Sequence, residues 1–241
     1  LRTVGERKTA RAGADPGSTR RAVRGDAQPV RRRRRGPSDI ESELLRLGGR
    51  RGNLHYQQLL AAADAFSRGR DRDALRTLRP VRDALPDAAS VRELMGLIHY
   101  RIGNFNAAIT ELEAFVNLSN SVEQHPVLMD CYRARRRWRR VEELWEELAA
   151  ASPSAELVTE GRIVLAGSLA DRGRLGEAIA QLDRKAGDVK RPRDHHLRLW
   201  YALADLEERA GNLARARELF ARVRRHDPDF ADVALRSAAL R

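Results

Sequence analysis

The chain has a single cysteine, Cys131, in 241 residues. That excludes a disulfide framework. Aromatic residues make up only 5% and residues 1–39 have none, so stacking on single-stranded nucleic acid finds no support in that segment. No apolar run approaches the roughly 20 residues needed to span a bilayer, and no membrane association is expected. There is no glycine-rich phosphate loop, nucleophile elbow or zinc-ligand spacing. No catalytic residue, cofactor or metal is therefore expected, and the sequence reads as that of a non-enzymatic, cytoplasmic protein. Lysine is nearly missing too: only Lys8, Lys185 and Lys190 occur among 46 basic residues. Such arginine-heavy usage fits a GC-rich bacterial genome.

The formal net charge is +12, and it is unevenly placed. Residues 1–39 carry 12 basic and four acidic side chains, with five of the 17 glycines, three of the nine prolines and no aromatic. Such a segment buries too little apolar surface to offset its chain entropy, so 1–39 is expected to be a disordered Arg-rich tail. It lacks the apolar stretch of a secretory signal. The tail ends in Arg31, Arg32, Arg33, Arg34 and Arg35. These could form a phosphate-binding arm for nucleic acid, with steep salt dependence. A solvated basic tail is the plainer account.

Beyond residue 40 the sequence repeats. Gly69, Gly103, Gly173 and Gly211 each sit between two amphipathic segments, and Arg136 takes the equivalent place in a fifth unit. In the second unit Leu94, Leu97, Ile98 and Ile102 line one helical face. After the turn Ala108, Ile109, Leu112, Phe115 and Val116 line another. Glycine supplies the left-handed residue that ends the first helix, and Asn104 and Asn212 are placed to cap the second. Pro86, Pro153 and Pro228 close three of the units.

This pattern resembles the tetratricopeptide repeat. Gly96, Ala62 and Ala204 stand at the small position of the first helix. Ala74, Ala108, Ala178 and Ala216 stand at that of the second. Trp200 matches the family's bulky first-helix position, and Trp145 and Phe220 its second-helix aromatic position. The resemblance implies an all-α, right-handed α-solenoid. Five repeats are expected at about 55–88, 89–121, 122–155, 159–192 and 197–228. Residues 40–54 read as a short amphipathic helix, capped by Ser38 or Asp39, and a Gly-rich linker; 229–241 reads as a C-terminal capping helix. Two loops should absorb the extra length near 153–159 and 187–194, and Pro80 should kink the second helix of the first unit.

The resemblance also implies that one face of the first helices forms a concave groove for a protein or peptide partner. The anchor residues expected there are Tyr56, Leu59, Phe66, Leu97, Tyr100 and Tyr201. The helix at 40–47 could itself fill the apolar end of that groove. A second cluster joins Arg133, Arg135, Arg136, Arg137, Arg139 and Arg140 around the third turn. A phosphate or acidic partner would relieve its repulsion, and a solvated turn neutralised by Glu142, Glu143, Glu146 and Glu147 would do so as well. With the tail, this cluster supports the alternative function of a nucleic-acid-associated protein. Asp194-His195-His196 spells a phosphoesterase motif without its context, and reads as an exposed helix start. Cys131 reads as a buried structural thiol. The oligomeric state is not legible.

Overall fold

The computed structural model describes residues 36–240; residues 1–35 of the expected tail, with Arg31 to Arg35, lie outside them. Among the described residues there is no β-strand, and twelve α-helices follow one another. They are α1 (Pro37–Gly48), α2 (Gly52–Ser67), α3 (Asp71–Ala84), α4 (Ala89–Arg101), α5 (Phe105–Ser119) and α6 (His125–Ala134). Then come α7 (Trp138–Ala151), α8 (Ala155–Asp171), α9 (Leu175–Asp183), α10 (Asp194–Arg209), α11 (Leu213–His226) and α12 (Val233–Ala239). Five hairpins result: α2–α3, α4–α5, α6–α7, α8–α9 and α10–α11. Each first helix also touches the first helix of the next hairpin, so the pairs stack into a solenoid.

The turns explain why the hairpins form. Gly69, Gly103, Gly173 and Gly211 have φ between +74° and +81°, a region that costs an L-residue but not glycine. Each turn closes with a bond across five residues. Asn104 N–H donates to His99 O at 2.8 Å, and Arg70 to Ala65, Arg174 to Leu169 and Asn212 to Glu207 repeat it. Arg136 makes the same turn at φ +54°, with Arg137 N–H donating to Tyr132 O at 2.9 Å. The expected asparagine caps are not used: neither Asn104 nor Asn212 caps through its side chain. The Asn212 amide instead donates to Glu207 Oε2 at 2.6 Å. Arg70, Arg137 and Arg174 hold nearly the same φ and ψ as the two asparagines. The backbone following the left-handed residue, not a polar side chain, opens each second helix.

Small residues set the helix separation. A Cβ at Gly96 would lie 2.6 Å from Leu112 Cγ, and Ala62, Ala74, Ala108, Ala178, Ala204 and Ala216 are fully buried. Most of the buried apolar residues form two clusters. One spans Leu44 to Ile98, the other Leu112 to Leu240. Between them lies a buried ionic group: Glu111 of α5, 5% exposed, accepts from Arg92 at 2.8 Å and pairs with Arg82 at 3.2 Å.

Several boundaries differ from expectation. α1 begins at Pro37, so residues 37–39 are helical rather than tail; Gly36 N–H donates to the Asp39 carboxylate at 2.9 Å, and proline occupies the first helical position. The presumed linker at 48–54 is a 3₁₀ turn, Gly49–Arg51, running directly into α2. Glycine there serves close approach: a Cβ at Gly52 would lie 2.6 Å from Leu45 Cα. α8 starts at Ala155, before the loop expected to run to 159, because Ser154 Oγ caps Leu157 N–H at 3.2 Å. The longer loop runs from the end of α9 at Asp183 to Asp194. Its Ala186 carbonyl accepts from Trp200 Nε1 at 3.2 Å and from Arg222 at 3.0 Å. α3 continues through Pro80, whose ring is exposed. In α12, Val233 is buried against the preceding hairpin while Leu235 is 75% exposed, so the apolar face is narrower than its sequence spacing implied.

Candidate functional site

The six residues expected to line the groove fall into four settings. Tyr56 and Leu59 of α2 and Leu97 of α4 come together. With Pro37 and Ile40 of α1, and with Leu60, Ala63 and Leu94, they enclose an apolar hollow of about 270 Å³. α1 supplies one wall, and its Leu44 is fully buried in the adjoining core. The chain's own first helix thus covers part of this apolar end and leaves the hollow beside it. Glu93 and Ser90 give the hollow a polar margin.

The other three expected anchors are engaged elsewhere. Phe66 lies under the Arg101 guanidinium, 3.5 Å from ring centroid to Cζ, and Arg101 Nε donates to Asp71 at 2.8 Å. Tyr100 donates its hydroxyl to Asp130 Oδ2 at 2.8 Å. Burial and that carboxylate push its pKa up. Tyr201 donates to Asp232 and packs edge-on to Phe220, with Phe230 on another side. It is held by the C-terminal segment rather than presented on a shared apolar surface.

From α6 onward the first-helix face is polar and internally paired. Gln124 donates to Glu93 at 2.7 Å, Arg133 to Asp171 at 2.6 Å and Arg198 pairs with Glu160 at 2.8 Å. Arg236 of α12 donates to Asp205 and Glu208, both at 3.0 Å. Each bond ties one helix of the face to the next. Arg236, like Gln124, is a member of this series the sequence did not suggest. A lone arginine in a seven-residue helix gives no signal until the chain places it over two carboxylates.

The arginine cluster divides as well. Arg133 is taken by Asp171 and by Asp130 at 3.3 Å. Arg139 and Arg140 both donate to Glu143, at 2.8 and 2.5 Å, and hold its carboxyl below the usual range. Glu142 accepts from Arg172 at 2.5 Å, and Glu147 faces His125 at 3.0 Å. Among the described residues Arg135, Arg136 and Arg137 have no acidic partner. Arg136 lines a polar pocket with Arg133, Trp138, Asp171 and Arg172.

Residues 197–240 match the sequence model of the tetratricopeptide repeat. A thermophilic tetratricopeptide-repeat protein of Thermus thermophilus, TTC0263, superposes with a TM-score of 0.59 at 18% identity, covering 77% of this chain and 98% of that one. Residues 197–240 thus read as one such repeat, and the chain has the fold of tetratricopeptide-repeat proteins. A putative kinesin light chain from Podosopora anserina with nearly identical repeats of this type superposes at 0.56 and 18% identity, covering 70% and 92%. A crystal structure of MamA gives 0.51 and 19%, covering 71% and 96%. Comparison with curated proteins gives no match.

Two chemical candidates remain, Cys131 and His195, and both are enclosed by the helices around them. Cys131 is fully buried on α6, and burial pushes its thiol up to about 12, far from thiolate character at neutral pH. His195 is 8% exposed and so is not the exposed helix start expected. Its ring lies tilted against that of His196 with centroids 3.9 Å apart, and His196 Nδ1 accepts from Arg193 N–H at 3.0 Å. No group of three or more His, Cys, Asp or Glu among the described residues could hold a metal ion, and no helix among them is long and apolar enough to cross a membrane.

Proposed function

We propose that the protein is a non-enzymatic scaffold that holds a segment of a protein partner on the first-helix face at its N-terminal end. The observation that carries this reading is the apolar hollow between α1, α2 and α4, where Tyr56, Leu59 and Leu97 converge beside Pro37 and Ile40. Leu60, at its edge, is 44% exposed. Aliphatic and aromatic side chains at the mouth of a preformed hollow suit the apolar stripe of a partner helix, with anchors at i, i+3 or i+4 and i+7. A hollow of about 270 Å³ takes one or two such side chains.

The test is selection of a displayed random-peptide library on the full chain. Enriched peptides should share apolar residues at helical spacing. Leu97→Asp should weaken them at least tenfold while far-UV circular dichroism stays unchanged. Recovery of no peptide family, or of peptides that bind Leu97→Asp equally well, would sink the reading.

A further inference from the structure

Four of the five hairpin turns carry glycine at the left-handed position, and a Cβ at each of those glycines would meet nothing within 4 Å. The third turn carries Arg136 there, at φ +54°. An arginine in this conformation is strained, and nothing in the packing demands it, because glycine makes the same turn four times over. The strained residue also lines a pocket. Its walls are Arg133, Arg136 and Trp138 from the α6–α7 hairpin and Asp171 and Arg172 from the end of α8, around a space of about 530 Å³.

The other cations of that pocket are fixed in place. Gly167 of α8 makes room for Arg133: a Cβ there would lie 2.8 Å from its Cζ. Arg133 then binds Asp171 through Nε at 2.6 Å and Nη2 at 3.3 Å. Arg172 is held by Glu142 at 2.5 Å. Asp171 offsets one charge in the pocket and Arg136 remains unmatched, with Arg135 and Arg137 beside it in sequence.

We infer that this pocket is a binding site for a single phosphate monoester, received by Arg136 and by the free N–H groups of Arg133 and Arg172. Guanidinium forks suit a dianionic group with three acceptor oxygens. The flat wall of Trp138 leaves room for the moiety that carries it. The surroundings favour one isolated anion over a polynucleotide backbone. Glu142, Glu143, Glu146 and Glu147 follow the turn along α7, and Asp171 stands in the wall, so a polyanion tracking through would meet five carboxylates. This site is separate from the apolar hollow and stands or falls independently of it.

The test titrates the full chain with O-phosphoserine, adenosine monophosphate and inorganic phosphate at fixed ionic strength, with serine and adenosine as controls and a single-stranded oligonucleotide, titrated at several salt concentrations, as the polyanion. Binding is followed by calorimetry and by the Trp138 indole N–H resonance. At least one phosphorylated probe should bind and shift that resonance, and neither control should. Arg136→Gly should weaken binding at least tenfold and leave the melting temperature equal or higher, since glycine relieves the turn. Arg136→Ala should weaken binding equally without that gain. The first two probes distinguish a protein side chain from a nucleotide as the source of the group. Binding unchanged in Arg136→Gly, no binding by any probe, or binding only of an oligonucleotide with a steep salt slope would each overturn the proposal.

Discussion

The two ends of the solenoid share a fold and differ in what their first helices present. From α1 to α4 the face is apolar, with a hollow bordered by Tyr56, Leu59 and Leu97. From α6 to α12 it is strung with pairs: Arg133 with Asp171, Arg198 with Glu160, Arg236 with Asp205 and Glu208. Partly exposed pairs of this kind contribute only about 0–1 kcal/mol each. What they do instead is satisfy one another and hold their side chains in place. The backbone supplies the same surface everywhere, and the choice of side chains decides where it is open to an apolar partner. The division continues inside, where the apolar core is split and the buried Glu111 with its two arginines occupies the join.

That join is where the largest effect is expected. Glu111→Ala leaves Arg92 and Arg82 without their buried partner and should cost about 3–5 kcal/mol, as breaking a buried pair does. Urea denaturation measures it. A loss below about 1 kcal/mol would mean that the two halves are joined by apolar contacts alone. Leu44→Ala should cost about 2–5 kcal/mol, because the side chain is fully buried where α1 seals the N-terminal core. Val233→Ala at the opposite cap deletes less buried volume and should cost roughly 1–2 kcal/mol. If Leu44→Ala proves the milder of the two, α1 is a dispensable lid rather than part of the array. A smaller change of opposite sign is expected within the C-terminal half. Gly176 lies on the exposed side of α9, where a Cβ meets nothing within 4 Å. Gly176→Ala should raise stability by about 0.5 kcal/mol. Gly96→Ala, which drives a Cβ into Leu112, should lower it by about 1–3 kcal/mol.

These substitutions also mark what could be read from the sequence. The turn glycines, the small helix positions and the closing prolines were legible because each backbone demand admits few residue types. α3, α7 and α11 all stop two residues before their proline. The turn at Arg136 was found by spacing alone, since its residue type argues against it. The convergence of Tyr56, Leu59 and Leu97 followed from repeat register. The fates of Phe66, Tyr100 and Tyr201 did not, because each depends on a partner about 30 residues away. With 43 arginines and 34 carboxylates in the chain, charge pattern leaves many pairings open, and only packing selects Arg236 over Glu208 or Arg101 over Phe66. Helix starts were misplaced where a backbone or side-chain cap, as at Gly36 and Ser154, outweighed apolar periodicity.

Acid should also separate the two halves. His125 of α6 is 1% exposed; its Nε2 faces Glu147 and its Nδ1 has no partner. Burial lowers its pKa, outweighing the pull of Glu147. His99 of α4 is lowered in the same way, by burial against the pull of Glu111. Each therefore binds its proton more readily in the unfolded chain, which titrates near pH 6.5. Their contribution to stability is whole above about pH 6.5 and is lost as the pH falls below it, at a rate of at most about 1.4 kcal/mol per pH unit for each histidine. The melting temperature of the wild type should fall between pH 7.5 and 5.5. His125→Gln should flatten that fall more than His99→Gln, because the imidazole on α6 is the more deeply enclosed. The reverse order would make α4, not α6, the helix that carries the acid sensitivity.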